Sequence, residues 1–167
     1  MFACDAVDLD YVDIAPTRLQ FTACIGRPTG EVFAALAHDP ANWGEFFPGF
    51  DRTGHYQTPA PYGVGSRRVA RFTGIKFEET ILAWDEGKRW AFRVDSTQAP
   101  LFRAAVEDYH FETKGNNTTL LRWTFAYQPR FAFKLVGPVL PRALALAFAR
   151  VGHNLEGGRW FSSQPPS

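Results

Sequence analysis

From Gly65 to Gln128 hydrophobic and polar positions alternate in five successive runs: VARF (69–72), KFEETILAW (76–84), RWAFRV (89–94), VEDYHFET (106–113) and LLRWTFAY (120–127). A period of two predicts strands with one buried face. The breaks between runs carry turn residues, Thr73-Gly74, Asp85-Glu86-Gly87 and Lys114-Gly115-Asn116-Asn117. The connection from Ser96 to Arg103 is longer and contains Pro100, Leu101 and Phe102. The period then changes. Between Phe131 and Glu156, Val136, Leu140, Leu144, Phe148, Val151 and Leu155 fall on one stripe, which predicts a long helix stopped at Gly157.

Upstream, RLQFTACI (18–25) alternates as a first strand. Pro28 suits a first helical turn, and Val32, Phe33, Leu36 and Ala37 give the following helix an apolar face. Asp39-Pro40 ends it, and the aromatic segment ANWGEFFPGF allows one or two further helical turns before Pro48. DRTGHYQT (51–58) is a weak second strand. The order predicts an α+β chain: a curved antiparallel sheet of about seven strands around a long C-terminal helix, with two short helices after the first strand. A meander that covers a single helix curls around it. Where it does not close, an apolar hollow is left between sheet and helix, and function is expected there.

Two carboxylates interrupt the apolar side of this sheet. Phe77, Glu79, Ile81 and Ala83 share one side of their strand, as do Trp90, Phe92 and Val94, then Glu107, Tyr109 and Phe111, then Leu121, Trp123, Phe125 and Tyr127. Counting back from the Asp85–Lys88 turn sets Glu79 opposite Val94, and counting across the longer connection sets Glu107 near Val94 on its other side. Two strand spacings then separate the carboxylates by roughly 10 Å. Inside a hollow they anchor a mostly apolar ligand or act as a general acid/base with a raised pKa. The structural alternative is a salt bridge at the cavity rim, with Arg68 as partner, or a bulge that turns one carboxylate outward. Arg67 and Arg68 have opposite facing, so one of them points inward.

Charge is near balance, 18 Lys and Arg against 17 Asp and Glu, so no overall field steers the chain to nucleic acid or an anionic membrane. At 167 residues the chain suits one domain, read as an acidic lead-in (1–16), a single domain (17–161) and a tail (162–167). The 16 Phe, 5 Trp and 5 Tyr fill a core and also suit an apolar pocket. Cys4 and Cys24 stand far apart, which points to a reducing compartment. The N-terminus lacks a basic start and an apolar core, so it is not read as a signal peptide. The apolar stretch 131–151 is broken by Lys134, Arg142 and Arg150 and by two prolines, and is not a membrane span. A soluble, cytoplasmic protein is expected, with no nucleic-acid partner and no integral membrane association, as monomer or homodimer.

The four histidines, His38, His55, His110 and His153, lie on different elements without a partner at ligand spacing, so neither a metal nor another cofactor is expected. The loop PYGVGSRR (61–68) lacks the Gly-Lys-Ser/Thr ending of a phosphate loop and opens no helix. His110, Arg122, Asp108 and Glu112 lie opposite the aromatic side and suit a solvated outer face. Trp43, Phe46, Phe47 and Phe50, on their broken helix, form either a lid facing Leu101 and Phe102 or a plug at the edge of the core.

The segments IAPTRLQFTACIGRPTGEVFAALAHDPANW, GVGSRRV, ETILAWDEGKRWAFRV and NNTTLLRWTFAYQP resemble the START/Bet v 1-like helix-grip superfamily, in its bacterial polyketide cyclase/dehydrase and lipid-transport (SRPBCC) group. The likeness runs from about Asp13 to the last helix and is one of strands and turns rather than of a catalytic signature. It implies the helix-grip fold, a cavity, and a glycine-rich loop (here 61–68) bordering the cavity entrance. It leaves the reaction open, since members bind lipids, hormones and polyketides and only some catalyse anything. Two functions follow. The first is binding of a small hydrophobic or amphipathic ligand, lipid-like or polyketide-like. The other is cyclase/dehydratase chemistry on an aromatic or polyketide-like substrate, with Glu79 or Glu107 moving the proton. The candidate ligand-binding residues are Phe47, Phe50, Arg68, Phe77, Glu79, Phe92, Phe102, Glu107, Tyr109, Trp123, Phe125, Leu140, Leu144 and Phe148.

Overall fold

Strong two-residue alternation separated by short turns leaves the chain little choice but successive antiparallel pairing. The computed structural model describes residues 1–115, 117–134 and 139–157, and only the backbone of 132, 134, 140, 156 and 157. Its strands are β1 (Phe2–Ala3), β2 (Thr17–Ile25), β3 (His55–Tyr56), β4 (Arg67–Phe72), β5 (Ile75–Asp85), β6 (Arg89–Thr97), β7 (Phe102–Thr113) and β8 (Thr119–Pro129). They form one antiparallel sheet in the order β2-β8-β7-β6-β5-β4-β3, with β1 pairing to β6 off this path. The helices are α1 (Tyr11–Ile14), α2 (Thr29–Ala37), α3 (Trp43–Phe46), α4 (Phe131–Lys134) and α5 (Leu140–Gly157). The chain is thus an α+β helix grip: a curved sheet around a C-terminal helix, with short helices after its first long strand.

The grip is made by side chains at helical spacing. Leu144, Phe148, Val151 and Leu155 are the buried large apolar residues among those described in α5, and Phe148 lies 5.3 Å from the Trp123 ring and 5.8 Å from Phe21. The Asn154 amide donates to the Phe46 carbonyl at 3.0 Å and ties the helix to α3. Phe148→Ala should cost about 3–5 kcal/mol, transfer and cavity terms together. An unchanged denaturation midpoint in that variant would show that α5 does not hold the core through this face.

Three details depart from the sequence pattern. The helix read over 131–156 is two helices, with Val139 in a turn before α5. Pro138 and Pro141 lack a backbone N–H and restrict the residue before them, which works against a continuous helix. Val136 lies outside the described residues. The weak strand at 51–58 survives only as His55–Tyr56. In β5, Ile81 pairs with Phe92 but Ala83 pairs with Ala91, a shift that leaves Leu82 as an extra residue. Beyond this bulge the faces exchange. Ala83 turns outward with Ala91, and Trp84 takes the inner side opposite Trp90, because one inserted residue inverts a period of two.

The acidic N-terminal segment packs on the sheet. β6 pairs with β7 only over Arg89–Arg93. Beyond that, β1 joins β6 through Phe2↔Thr97 and Ala3↔Ser96, and the Asp5 amide donates to the Arg103 carbonyl of β7. Arg130 fastens this join by donating to the carbonyls of Phe102 and Ala3. Val12 of α1 then covers the outer face at Val106 and Ala126, with Leu82 beside them.

Candidate functional site

The inner face of the sheet encloses a cavity of about 170 Å³, partly open to solvent. It is smaller than the few hundred Å³ typical of sites for drug-sized ligands, because α3 and the residues after it fill part of the hollow. Trp43 and Phe47 are 3% and 5% exposed and form part of the cavity wall, whereas Phe46 is buried in the core and does not line it. The aromatic segment is therefore plug and wall together. Gly49 makes its close approach possible. Its φ is +101°, and a Cβ there would lie 2.5 Å from the Phe72 ring, so any other residue would be strained and would displace Phe72.

Of the residues singled out from sequence, Phe47 and Phe50 line the cavity, as do Phe77 and Glu79 from β5 and Phe102, Glu107 and Tyr109 from β7. Trp123 and Phe125 from β8 and Leu144 from α5 complete that set. Arg68, Phe92 and Phe148 are buried in the surrounding core and are not part of the wall. The side chain of Leu140 lies outside the described residues. Sequence reading omitted Trp43, Phe72, Ile75, Val94, Leu101 and Phe133 from the site, and also Thr73. The inward face of Val94 is legible in the sequence, but the rim residues are not. Thr73 comes to the wall through a two-residue hairpin turn with Gly74, in which both residues take positive φ, 49° and 80°. No residue of the glycine-rich connection 61–68 is part of the cavity wall.

Arg68 is the inward member of its pair. It is 1% exposed, and its Nε donates to Glu79 Oε2 at 2.6 Å across the β4–β5 register pair. Its guanidinium carbon sits 4.3 Å from the Phe92 ring centre and 4.5 Å from Trp90, so aromatic faces take up charge that Glu79 does not neutralise. Glu79 lies opposite Val94, as expected; the turn pairs Asp85 with Arg89, and the bulge at Leu82 shifts the register by the one residue that brings Glu79 to Val94. Burial raises its carboxyl above the ordinary range, and the charge and hydrogen bond of Arg68 oppose that rise.

Glu107 pairs with Phe92 rather than with Val94. The bulge around Asp95 and the long β6–β7 connection slip the register by two residues, an even number, so the carboxylate still faces inward. It accepts a hydrogen bond from the Tyr109 hydroxyl at 2.6 Å. Burial, with the Glu79 charge adding to it, pushes its pKa up to about 7, while the Tyr109 hydrogen bond and the Arg68 charge work the other way. The Trp123 indole N–H also favours the charged form, although its geometry falls short of a hydrogen bond. The Tyr109 hydroxyl is itself raised well above its usual value, first by burial and then by Glu107. Near neutral pH the cavity therefore holds one fixed ion pair and one carboxyl group that exists in both protonation states.

On the outer face, Asp108 accepts two hydrogen bonds from Arg89, each 3.0 Å, and lies 3.0 Å from His110. That cluster stabilises the sheet. Among the described residues no group of three or more His, Cys, Asp or Glu could hold a metal ion, and no helix is long and apolar enough to cross a membrane.

No family model matches the chain. An uncharacterized protein of Mycobacterium tuberculosis is 28% identical over 142 residues, 84% of this chain and 80% of its own length. Among solved structures, the di-domain ARO/CYC BexL from the BE-7585A biosynthetic pathway superposes with a TM-score of 0.67 at 16% identity, covering 84% of this chain and 46% of that one. The chain thus spans about half of BexL. Major latex-like protein 151 from Panax ginseng gives 0.64 at 21% identity over 84% and 95% of the two chains. The Zhui aromatase/cyclase from Streptomyces sp. R1128 gives 0.63 at 16% identity over 83% and 93%. These likenesses show the helix-grip fold.

Proposed function

We propose that this protein binds a small, largely apolar molecule in the cavity between sheet and helix. The observation that carries this reading is the cavity itself: a partly open space of about 170 Å³ walled by Trp43, Phe47, Phe50, Phe77, Trp123 and Phe125, with Glu79 and Glu107 set into the aromatic surface. A dry apolar cavity of about 150 Å³ is enough for one aromatic ring, so the bound part is a single ring or a short chain. The aromatase/cyclase and major latex-like proteins that share the fold support the reading at the level of architecture. Cys4 and Cys24 are free thiols, which suits a cytoplasmic setting.

Native mass spectrometry of the purified protein should detect a co-purifying small molecule or uptake of an added one-ring compound. Leu144→Trp, which fills the cavity from α5, should abolish uptake while the far-ultraviolet circular dichroism stays native. Equal uptake by wild type and Leu144→Trp would place the ligand elsewhere and sink the reading.

One observation favours a second reading, proton-transfer chemistry of the cyclase or dehydratase kind. The Glu107 carboxyl, with a pKa of about 7, is matched to working as general acid or base at neutral pH. In that case Glu107→Gln removes turnover and leaves binding nearly intact. For a binding protein the same change alters affinity alone.

A further inference from the structure

We infer that the molecule bound here carries a hydroxyl group, an alcohol or phenol on an apolar body, held between the carboxyl group of Glu107 and the indole N–H of Trp123. This rests on the ligand-binding reading above and adds the chemical class of the ligand.

The polar groups of the wall leave little else open. Glu79 is committed to Arg68, and the Tyr109 hydroxyl donates to Glu107 Oε2. The Thr73 hydroxyl donates to the carbonyl of Phe72. Two groups remain. Glu107 Oε1 accepts no hydrogen bond among the described residues, and Glu107 keeps intermediate exposure where it lines the cavity. Trp123 is 3% exposed, and its Nε1–H is buried with no partner. A buried donor left unpaired costs about 1–3 kcal/mol; the Glu107 carboxyl is near enough to act on this one but falls short of a hydrogen bond to it, so a ligand oxygen would complete its pairing.

The register brings the open acceptor and the open donor together. Glu107 pairs with Phe125 and Tyr109 with Trp123, so Trp123 is the diagonal neighbour of Glu107 on the same face of adjacent strands. One ligand oxygen can serve both if it accepts from the indole and either donates to the ionised carboxylate or accepts from the protonated carboxyl. A hydroxyl does this. A carboxylate cannot donate and meets two acidic side chains. An ammonium group cannot accept and leaves the indole unpaired. A hydrocarbon satisfies neither group.

The test uses four compounds of one ring and similar size, namely benzyl alcohol, toluene, benzylamine and benzoate, titrated into the full chain by calorimetry at pH 7. Benzyl alcohol should bind about tenfold more tightly than toluene or benzylamine, because the site's own polar groups go unpaired with the others. Benzoate should bind most weakly. Trp123→Phe keeps the ring and removes the N–H, and should cut the preference for the alcohol over toluene several-fold. Glu107→Leu should remove it. Glu107→Gln, which still accepts, should keep most of it and guards against a folding defect in the leucine variant. Toluene or benzylamine binding as tightly as benzyl alcohol would overturn the inference and leave the ligand-binding reading standing. A preference that survives both Trp123→Phe and Glu107→Leu would also overturn it. If none of the four binds, both fall together.

Discussion

Arg68→Met should destabilise the protein by roughly 3–5 kcal/mol, the usual cost of removing one partner of a buried ion pair. Methionine keeps the unbranched stem among Trp43, Trp90 and Phe92, so lost packing contributes little. What remains is the Glu79 carboxylate, 5% exposed, with its 2.6 Å partner gone. The double variant Arg68→Met, Glu79→Leu removes both charges and should recover most of the loss, since apolar replacement of a buried pair is often neutral or better. Denaturant unfolding of the two variants and the wild type closes the cycle. A single variant as stable as the wild type would mean that Glu79 finds water or another cation, and the pair would not be the structural support of the cavity.

Glu107→Gln should raise stability at alkaline pH and leave it unchanged in acid. The Glu107 pKa stands at about 7 in the folded chain against an ordinary 4.5. Below about 4.5 the group is protonated folded or unfolded, and its burial carries no ionisation cost. As pH rises the unfolded chain releases this proton first, so stability falls until the folded carboxyl ionises near 7 and is constant beyond. At 1.36 kcal/mol for each pH unit, reduced because water reaches the cavity, the loss is roughly 2–3 kcal/mol. Glutamine is neutral throughout and still accepts from Tyr109. The variant should therefore melt about 5–10 °C above wild type at pH 8 and within a degree or two of it at pH 4.5. The charged groups that act on Glu107 are Glu79 on β5 and Arg68 on β4, with Tyr109 on its own strand. Their balance predicts that Arg68→Met moves the transition to higher pH. Melting curves that stay parallel from pH 4.5 to 8 would show that Glu107 ionises as an exposed glutamate does. Such a result would remove the support for general acid/base chemistry. A group that destabilises its own fold at working pH is usually retained for function.

Particular residues show how far sequence reading reached. Glu79 faces Val94 as counted, although the turn pairs Asp85 with Arg89 and it is the extra residue Leu82 that brings the register to the counted one. Glu107 was placed on the correct face with the wrong partner, since the longer 98–101 connection carries no register information. Ala83 was set inward by strict alternation, and the bulge at Leu82 turned it outward. The Arg68–Glu79 pair was foreseen as the structural alternative for one carboxylate. The hydrogen bond from Tyr109 was not, although Glu107 and Tyr109 are two residues apart on one face, the spacing at which same-strand side chains meet.

What the chain determined by itself is what depends on neighbours in sequence. The strands, their inner faces, the helix stripe of Leu144, Phe148, Val151 and Leu155, and the presence of two acids on an apolar surface all follow from backbone periodicity and turn chemistry. What only the tertiary structure decided depends on residues far apart in the chain. Trp43 and Phe47 narrow the hollow to about 170 Å³, and the N-terminal residues enter the sheet where β6 and β7 part. Burial first, then Tyr109 on the same strand, and Glu79, Arg68 and Trp123 brought from three others, set the Glu107 pKa. Void volume and desolvation are sums over every side chain packed around a point, and no local pattern of the sequence encodes such a sum.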